Sequence, residues 1–472
     1  MKIAIIFPPY NHKKFSENLE VVDEEFGVYP PLGPAYAAAI LEKAGHSVIL
    51  IDAKALKLSK REALDRVKKF NPDIMAFMLT TYIFHQTLSW IKYLKRDVNV
   101  PVICGGLNLA YYPRETLSHK EIDFGIIGSA RESLPLLVDA IENNKDFSNI
   151  KGICYRKRSK IKLNPPDSFE EDIDKLPFPA RHLLPNNKYY QFISKKKNFT
   201  IMLTAKGCPY PCTFCPIGRM PYSERSTKKV LEEVEECYKK YNVREIDFFT
   251  ATFTVNKKKV MEFCRGLKGL RKKGIKIDWS CRSRTDTVDE EMLKEMASVG
   301  CKRIYYGIES SNLEILKKVN KYIKAEKVKK TIKLTQKYGI KALGFFMIGN
   351  PGETKESIEE TIRFAKKLNL DYIQVMRTIA KPCTSLDDEL KEKIGKDYWR
   401  DFVLGKEKEK RLPNIWCDLS DNEIDYYLKK MYTKLYLTPK YVINTILRVK
   451  SFSELERYLR AGIKMVFTKN EY

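Results

Sequence analysis

The chain has only five histidines among 472 residues, His12, His46, His85, His119 and His182, and no two of them stand at ligand spacing. That excludes zinc sites built on paired imidazoles. No apolar run reaches the roughly 18 residues of a membrane-spanning helix. Low-complexity tracts and repeats of about 20 to 50 residues are missing too, which excludes solenoids and long disordered segments. The first apolar stretch, Ile3 to Phe7, is too short for a signal-peptide core and lacks a small-residue cleavage site, so it reads as a strand. Acid is scarce against base: 86 Lys and Arg face 60 Asp and Glu, a net charge of +26. The lysines are spread along helical faces, as in Glu326-Lys327-Val328-Lys329-Lys330, with no aromatic-interleaved basic block, so nucleic acid is not an expected partner. A basic surface of this kind suits an anionic lipid surface, and peripheral membrane association is carried forward as an expectation.

Eleven cysteines are present. Eight of them, Cys104, Cys154, Cys237, Cys264, Cys281, Cys301, Cys383 and Cys417, are scattered singly in mostly apolar contexts, as expected of a reducing, cytoplasmic compartment. The other three crowd into Lys206-Gly207-Cys208-Pro209-Tyr210-Pro211-Cys212-Thr213-Phe214-Cys215. A tight, Pro-broken loop can aim Cys208, Cys212 and Cys215 at one centre, and thiolates are the ligands of iron-sulfur clusters. Three protein ligands on a four-iron cluster leave one iron open, as a working metal site requires. The alternatives are a zinc site without its fourth ligand, or three unrelated core cysteines; structural zinc demands a closed set of four.

A chain this long calls for two or three domains. Residues 1–145 alternate apolar strands (Ile3 to Phe7, Ser47 to Ile51, Ile74 to Leu79, Val102 to Cys104, Phe124 to Ile127) with helical patterns. This is the pattern of an α/β, doubly wound, Rossmann-like parallel sheet, which binds ligands at the carboxyl ends of its strands. Gly105, Gly106 and Gly128 follow the fourth and fifth strands, where glycine permits either close approach to a flat ligand or simply a tight turn. His85, after the third strand, reads as a polar helix-start residue. Residues 146–195 form a proline-broken connector with a short strand pair. Residues 196–395 repeat strand and helix six times, a partial (β/α)6 TIM-type barrel, and the thiol loop follows its first strand, at the face where barrels keep their chemistry. Residues 396–472 read as a small helical, aromatic domain without a motif.

The thiol spacing on a loop after a barrel's first strand resembles the radical S-adenosylmethionine (radical SAM) superfamily. Tyr306-Gly307-Ile308-Glu309-Ser310, Phe346 to Thr354 and Trp279 to Arg284 look like that family's barrel strands, and the doubly wound N-terminal domain makes the chain similar to the cobalamin-binding subgroup. The resemblance implies a 4Fe-4S cluster, S-adenosylmethionine and cobalamin as cofactors, an electron donor such as ferredoxin or flavodoxin, and a small-molecule or lipid substrate. It also implies a 5'-deoxyadenosyl radical and methylation of an unactivated carbon. Carbon-carbon coupling or cyclisation of a lipid or isoprenoid is the alternative, and a non-catalytic corrinoid or iron-sulfur carrier the alternative of another class.

By position in the family pattern, Arg284 is the candidate partner of the methionine carboxylate, Glu309 and Ser310 of the ribose hydroxyls or amino group, and Phe214 of adenine by stacking. Gly349, Gln374 and Val375 are candidates to offer backbone to adenine, and Gly105, Gly106 and Gly128 to support the corrinoid. Each of these has a structural alternative in loop packing or barrel-mouth bonding. Three departures from the pattern stand out. Phe249-Thr250-Ala251-Thr252-Phe253 has no acidic residue where the subgroup has them, no Asp-x-His-x-x-Gly sequence supplies a ligand to cobalt, and Gly128-Ser129-Ala130-Arg131-Glu132 lacks the first Glu of the usual Gly-Glu-Gly-Glu.

Overall fold

A computed structural model describes residues 1–10, 27–166, 172–194, 196 and 198–438. Strands β1 (Lys2–Phe7), β2 (Ser47–Asp52), β3 (Ile74–Met78), β4 (Val102–Gly105) and β5 (Phe124–Ile126) pair in parallel in the order β2-β1-β3-β4-β5. Their apolar residues alternate between two cores: Ile3 and Ile5 face the helices Leu32–Lys43 and Ala130–Glu142, while Ala4 and Ile6 face Lys60–Phe70 and Phe84–Lys95. Burial on both faces is why these strands read as continuous apolar runs. The order reverses between β1 and β3, the point at which doubly wound sheets open a crevice at their carboxyl ends.

The strand pair expected in the connector forms, but it belongs to this first sheet. Strands β6 (Ile153–Lys157) and β7 (Lys160–Leu163) add antiparallel to β5, and Ile153 and Tyr155 enter its core. An exposed β5 edge would otherwise be a template for pairing with another chain.

Six further strands, β8 (Phe199–Met202), β9 (Glu245–Phe248), β10 (Asp278–Arg284), β11 (Cys301–Glu309), β12 (Lys341–Ile348) and β13 (Tyr372–Arg377), pair in parallel in sequence order. The result is an open half barrel with β8 and β13 at its edges. Ser226, Asn256, Asp289 and Thr354 each cap the helix that follows them by accepting a backbone N–H, which fixes where each crossover begins. Ile246, Phe248, Trp279, Cys281, Ile304 and Tyr306 pack outward against those helices. By alternation, Asp247, Arg282, Arg284, Tyr305 and Glu309 line the interior.

The C-terminal segment has no core of its own among the described residues. Tyr398, Trp399 and Phe402 pack into the first domain, whereas Tyr427 and Tyr432 of the helix Asp421–Tyr436 pack onto the barrel. Between the helices Tyr398–Val403 and Asp421–Tyr436 the expected helical run is irregular, and residues 439–472 lie outside the described part. The second of these helices seals the β13 edge: Ile373 N–H donates to Tyr436 Oη at 2.7 Å and Val375 N–H to Tyr432 Oη at 2.8 Å. A strand edge is here satisfied by two phenols.

The connector is bolted to the barrel by buried charge. Arg181 Nη2 stands 2.7 Å from Glu233 Oε1 and donates at 3.0 Å to the carbonyl of Ile201, while Arg225 pairs with the other oxygen of Glu233. All three side chains are at least 95% buried. Removing the carboxylate leaves two guanidiniums uncompensated, so Glu233→Ala is expected to lose about 3–5 kcal/mol of stability, measured by urea unfolding.

Candidate active site

The thiol loop leaves the carboxyl end of β8. A two-residue ladder, Ala205–Lys206 against Ser223–Glu224, closes its base. Gly207 sits at φ +72°, and a Cβ there would stand 2.1 Å from the carbonyl of Pro221, so only glycine lets the two ends of the loop meet. Its far side is held from across the barrel. Asn320 Nδ2 donates to Pro211 O at 2.9 Å, Thr213 N–H to Val319 O at 3.3 Å, and Leu386 N–H to Thr213 O at 3.4 Å. Cys208, Cys212 and Cys215 are half-buried and free, and Phe214 is half-buried between the last two. Among the described residues no three His, Cys, Asp or Glu side chains converge as on a single ion. Three free thiols on one loop are a donor set of the kind iron-sulfur clusters take.

Around Cys212 stand two cations, one carboxylate and a second thiol. Burial raises its thiol pKa; Lys321 and Arg284 oppose this, while Glu309 and Cys215 add to it. Arg284 lies over the ring of Tyr210 in the thiol loop, 4.0 Å from its centroid, and Asp286 takes its fork bidentately at 2.9 and 2.8 Å. Glu309 pairs at 2.8 Å with Lys321, whose ammonium also donates to Gly307 O at 3.0 Å. Both side chains are buried, Glu309 holds φ +65° beside a bulge in β11, and its Oε2 is buried without a partner. Gly307 makes room for the pair: a Cβ there would stand 2.6 Å from Glu309 Oε1 and 2.7 Å from Lys321 Nζ. An orphaned acceptor in a dry site favours a ligand rich in donors.

The other expected partners divide. Gln374 lies on the interior register beside Phe345. Three candidates are turned to structural work. The hydroxyl of Ser310 lies against Thr361 Oγ1, 3.2 Å away on the outer helix Lys355–Leu368, and accepts from Asn312 N. Val375 spends its N–H on Tyr432. Gly349, at φ +88°, donates its N–H to Glu353 Oε2 at 2.7 Å, which leaves no donor for adenine, and its carbonyl accepts from Asn414 Nδ2 at 2.7 Å. In the acid-free stretch, Thr250 Oγ1 accepts from Thr204 N–H at 2.9 Å and ties the first two strand ends together, whereas Thr252 Oγ1 lies 3.9 Å from Cys208 Sγ.

On the first domain, Gly106 has φ +110° and a Cβ would meet Leu79 O at 2.5 Å. Its glycine is thus demanded by the protein's own chain. Gly105 meets nothing closer than 4.0 Å, and Gly128, at φ +86°, faces open space at the carboxyl edge. His85 lies in the helix Phe84–Lys95 as expected, its Nε2 on the carbonyl of Phe402, with His119 Nε2 2.7 Å from Val403 O; both serve the end of the helix Tyr398–Val403. Tyr111, just after β4, has its pKa raised to about 12 by burial and by Cys383 and Cys215, with Arg219 opposing. The carboxyl edge of the first sheet reaches that of the barrel at Tyr29, on the connection after β1, whose ring centroid lies 6.0 Å from that of Phe249, just after β9.

A half barrel that gathers three free thiols at its carboxyl mouth and sets them against the carboxyl edge of a doubly wound domain defines a class of cluster-bearing enzymes with a second cofactor domain. The Radical SAM superfamily profile matches residues 202–365, and the B12-binding domain profile matches residues 21–138. An uncharacterized methyltransferase of Pyrococcus horikoshii is 30% identical over 99% of both chains. An anaerobic magnesium-protoporphyrin IX monomethyl ester cyclase of Rubrivivax gelatinosus is 28% identical over 84% of this chain and 71% of its own. The fold of the radical S-adenosylmethionine methyltransferase TsrM of Kitasatospora setae, solved with cobalamin and a [4Fe-4S] cluster, matches with TM-score 0.67 at 17% identity, over 83% of this chain and 75% of that one. The chain belongs to the radical SAM superfamily, in the group that carries a B12-binding domain. A 4Fe-4S cluster, S-adenosylmethionine and cobalamin follow as its cofactors.

Lys321, Asp286 and Tyr29 were missed from sequence. Each is a common residue type whose place at the mouth depends on a crossover or a domain contact, and no local pattern marks it.

The Gly349 turn yields a pH dependence. Burial raises the Glu353 carboxyl to about 7, against hydrogen bonds from Asn350 and Gly349 that lower it. Its folded value lies above its unfolded one, so the folded chain holds the proton more tightly, and this contribution to stability is lost as pH rises from about 4.5 through 7. Wild-type melting temperature is expected to fall over that window relative to Glu353→Gln, measured by thermal unfolding at pH 5 and pH 8.

Proposed function

We propose that the protein is a cobalamin-dependent radical SAM methyltransferase that transfers a methyl group to an unactivated carbon of a small-molecule substrate. The observation that carries this reading is the meeting of two carboxyl edges, where Tyr29, on the connection that follows β1, packs against Phe249, just after β9, with ring centroids 6.0 Å apart. A methyl source and a radical source held on one seam have a short path to one substrate. When bound, the cluster and S-adenosylmethionine supply a 5'-deoxyadenosyl radical and the corrinoid supplies the methyl group.

The chain's own part is to hold and to exclude. Cys208, Cys212 and Cys215 ligate the cluster. Glu309, locked by Lys321, offers its free Oε2 to the ammonium or ribose hydroxyls of S-adenosylmethionine. Arg284 fixes the thiol loop through Tyr210, and a methionine carboxylate would have to share its fork with Asp286. Electrons come from a ferredoxin- or flavodoxin-type donor. Among the described residues no helix is long and apolar enough to cross a membrane.

The likeness to a cyclase supports a second reading in which the same radical closes a ring, on a lipid or isoprenoid for example. Product analysis separates the two: a mass gain of one methylene in the first case, loss of two hydrogens in the second.

After anaerobic reconstitution and dithionite reduction, wild type is expected to form 5'-deoxyadenosine and Cys212→Ala none; equal cleavage by both would overturn the reading. Glu309→Gln is expected to weaken S-adenosylmethionine binding about 10- to 100-fold in equilibrium dialysis, the scale of one hydrogen bond to a charged group.

A further inference from the structure

The interior of the half barrel is built in layers, and one layer is left unfinished. The lowest is sealed: Arg303 pairs with Glu245, its Nη2 also reaches Gln191 Oε1 at 3.2 Å, and Gln191 Nε2 donates to Tyr305 Oη at 2.6 Å. Ile193 of the connector closes this floor against Tyr305 and Leu343. The uppermost is the mouth, with Arg284 on the thiol loop. Between them lies Arg282, two residues below Arg284 on the same strand face and so roughly 7 Å beneath it.

Arg282 differs from every buried arginine around it. Its Nη1 donates to Asp247 Oδ1 at 2.9 Å, and its guanidinium lies 3.7 Å from the ring centroid of Phe249 and 5.0 Å from that of Tyr305. Nε and Nη2 meet no protein acceptor among the described residues, and the side chain keeps 18% exposure where Arg303 keeps 5%. The free edge is therefore the Nε–Nη2 edge, the fork that grips a carboxylate or phosphate bidentately. Two more polar atoms nearby are buried, Asp247 Oδ2 without a partner and Tyr29 Oη with Gln191 as its neighbour. Tyr29 stands against Phe249, centroids 6.0 Å apart, and its hydroxyl is a further donor for an anion. Phe249 itself is 42% exposed, an unusual state for a large apolar residue on a barrel's inner face.

We propose that Arg282, with Tyr29 and Phe249, forms a substrate subsite that takes a carboxylate or phosphate attached to an apolar body, the anion on the Nε–Nη2 edge and the apolar part against Phe249. The cation is held against two rings and oriented by Asp247, so little rotamer freedom is lost on binding. A substrate anchored there projects its carbon chain up the strand axis, toward the mouth where the thiol loop lies. This deepens the proposed function by naming the substrate class, and it rests on that reading for the use made of the bound molecule.

Binding is testable apart from turnover, by calorimetric titration of the reconstituted full-length chain without reductant or S-adenosylmethionine. The probes are 4-phenylbutyrate, phenyl phosphate and, as the uncharged control, 4-phenyl-1-butanol. Wild type is expected to bind at least one of the two anions, Arg282→Gln to bind that anion at least tenfold more weakly, and the alcohol to show no such difference; which anion binds distinguishes a carboxylate from a phosphate substrate. If Arg282→Gln fails to fold because Asp247 is left unpaired, Asp247→Asn/Arg282→Gln removes both charges and carries the same expectation. Failure of both anions to bind wild type, or equal binding to wild type and variant, overturns the subsite. Failure of wild type to cleave S-adenosylmethionine overturns the radical reading and leaves this result standing.

Discussion

The rest of the structure depends on a directional constraint. In a parallel sheet every strand ends at the same edge, so every loop that can carry chemistry is delivered there. This chain contains two such sheets, each covered on its outer faces by helices, and neither can present a site anywhere else. A shared site exists only if the two carboxyl edges are turned toward one another. The packing of Tyr29 against Phe249 is the local sign that they are.

Holding two edges in that attitude falls to the seam, and the seam is made of buried charge. The Arg181–Glu233–Arg225 cluster joins the connector to the barrel's first crossover helix, and Tyr36 of the first domain has its phenol pKa raised by burial beside it. Such clusters contribute little net stability, because desolvation offsets most of the attraction. They do penalise misplacement, since a shift of either partner strands a charge in a dry interior. Apolar packing alone would tolerate a slide along the seam that hydrogen-bonded guanidiniums do not. The C-terminal segment adds to this by dividing itself, with Trp399 in one core and Tyr432 in the other.

What was legible in the sequence is what local spacing determines. The three thiols, both runs of strands and the crossover helices follow from short-range pattern, and the elements fall close to where periodicity puts them. Parity was harder to read. The alternation persists across the register shift after Gly307, so Glu309 stays inside with Tyr305 while Ser310, one residue on, falls on the outer face against Thr361. Val375 looked like open backbone only because nothing local announces that a helix some sixty residues later will spend two tyrosines on that edge. Lys321 is one basic side chain among 86 Lys and Arg, and only the tertiary fold carries it over the mouth.

The missing acid near Thr250 takes on a different meaning once the mouth is in view. Thiolate-bound clusters carry negative charge, and a carboxylate at position 252, where Thr252 now lies 3.9 Å from Cys208, would stand against that charge. The mouth instead places its open carboxylate oxygen across the barrel, on Glu309, and neutralises the residue with Lys321 in the same step. Arg284 is matched by Asp286 in the same way. Two cations and two carboxylates thus surround the loop with no net charge from those four groups, while a single acceptor remains unfilled. The mouth thus keeps an open carboxylate oxygen on the fourth strand while the second has none, and Gly307 is the residue that makes the space for it.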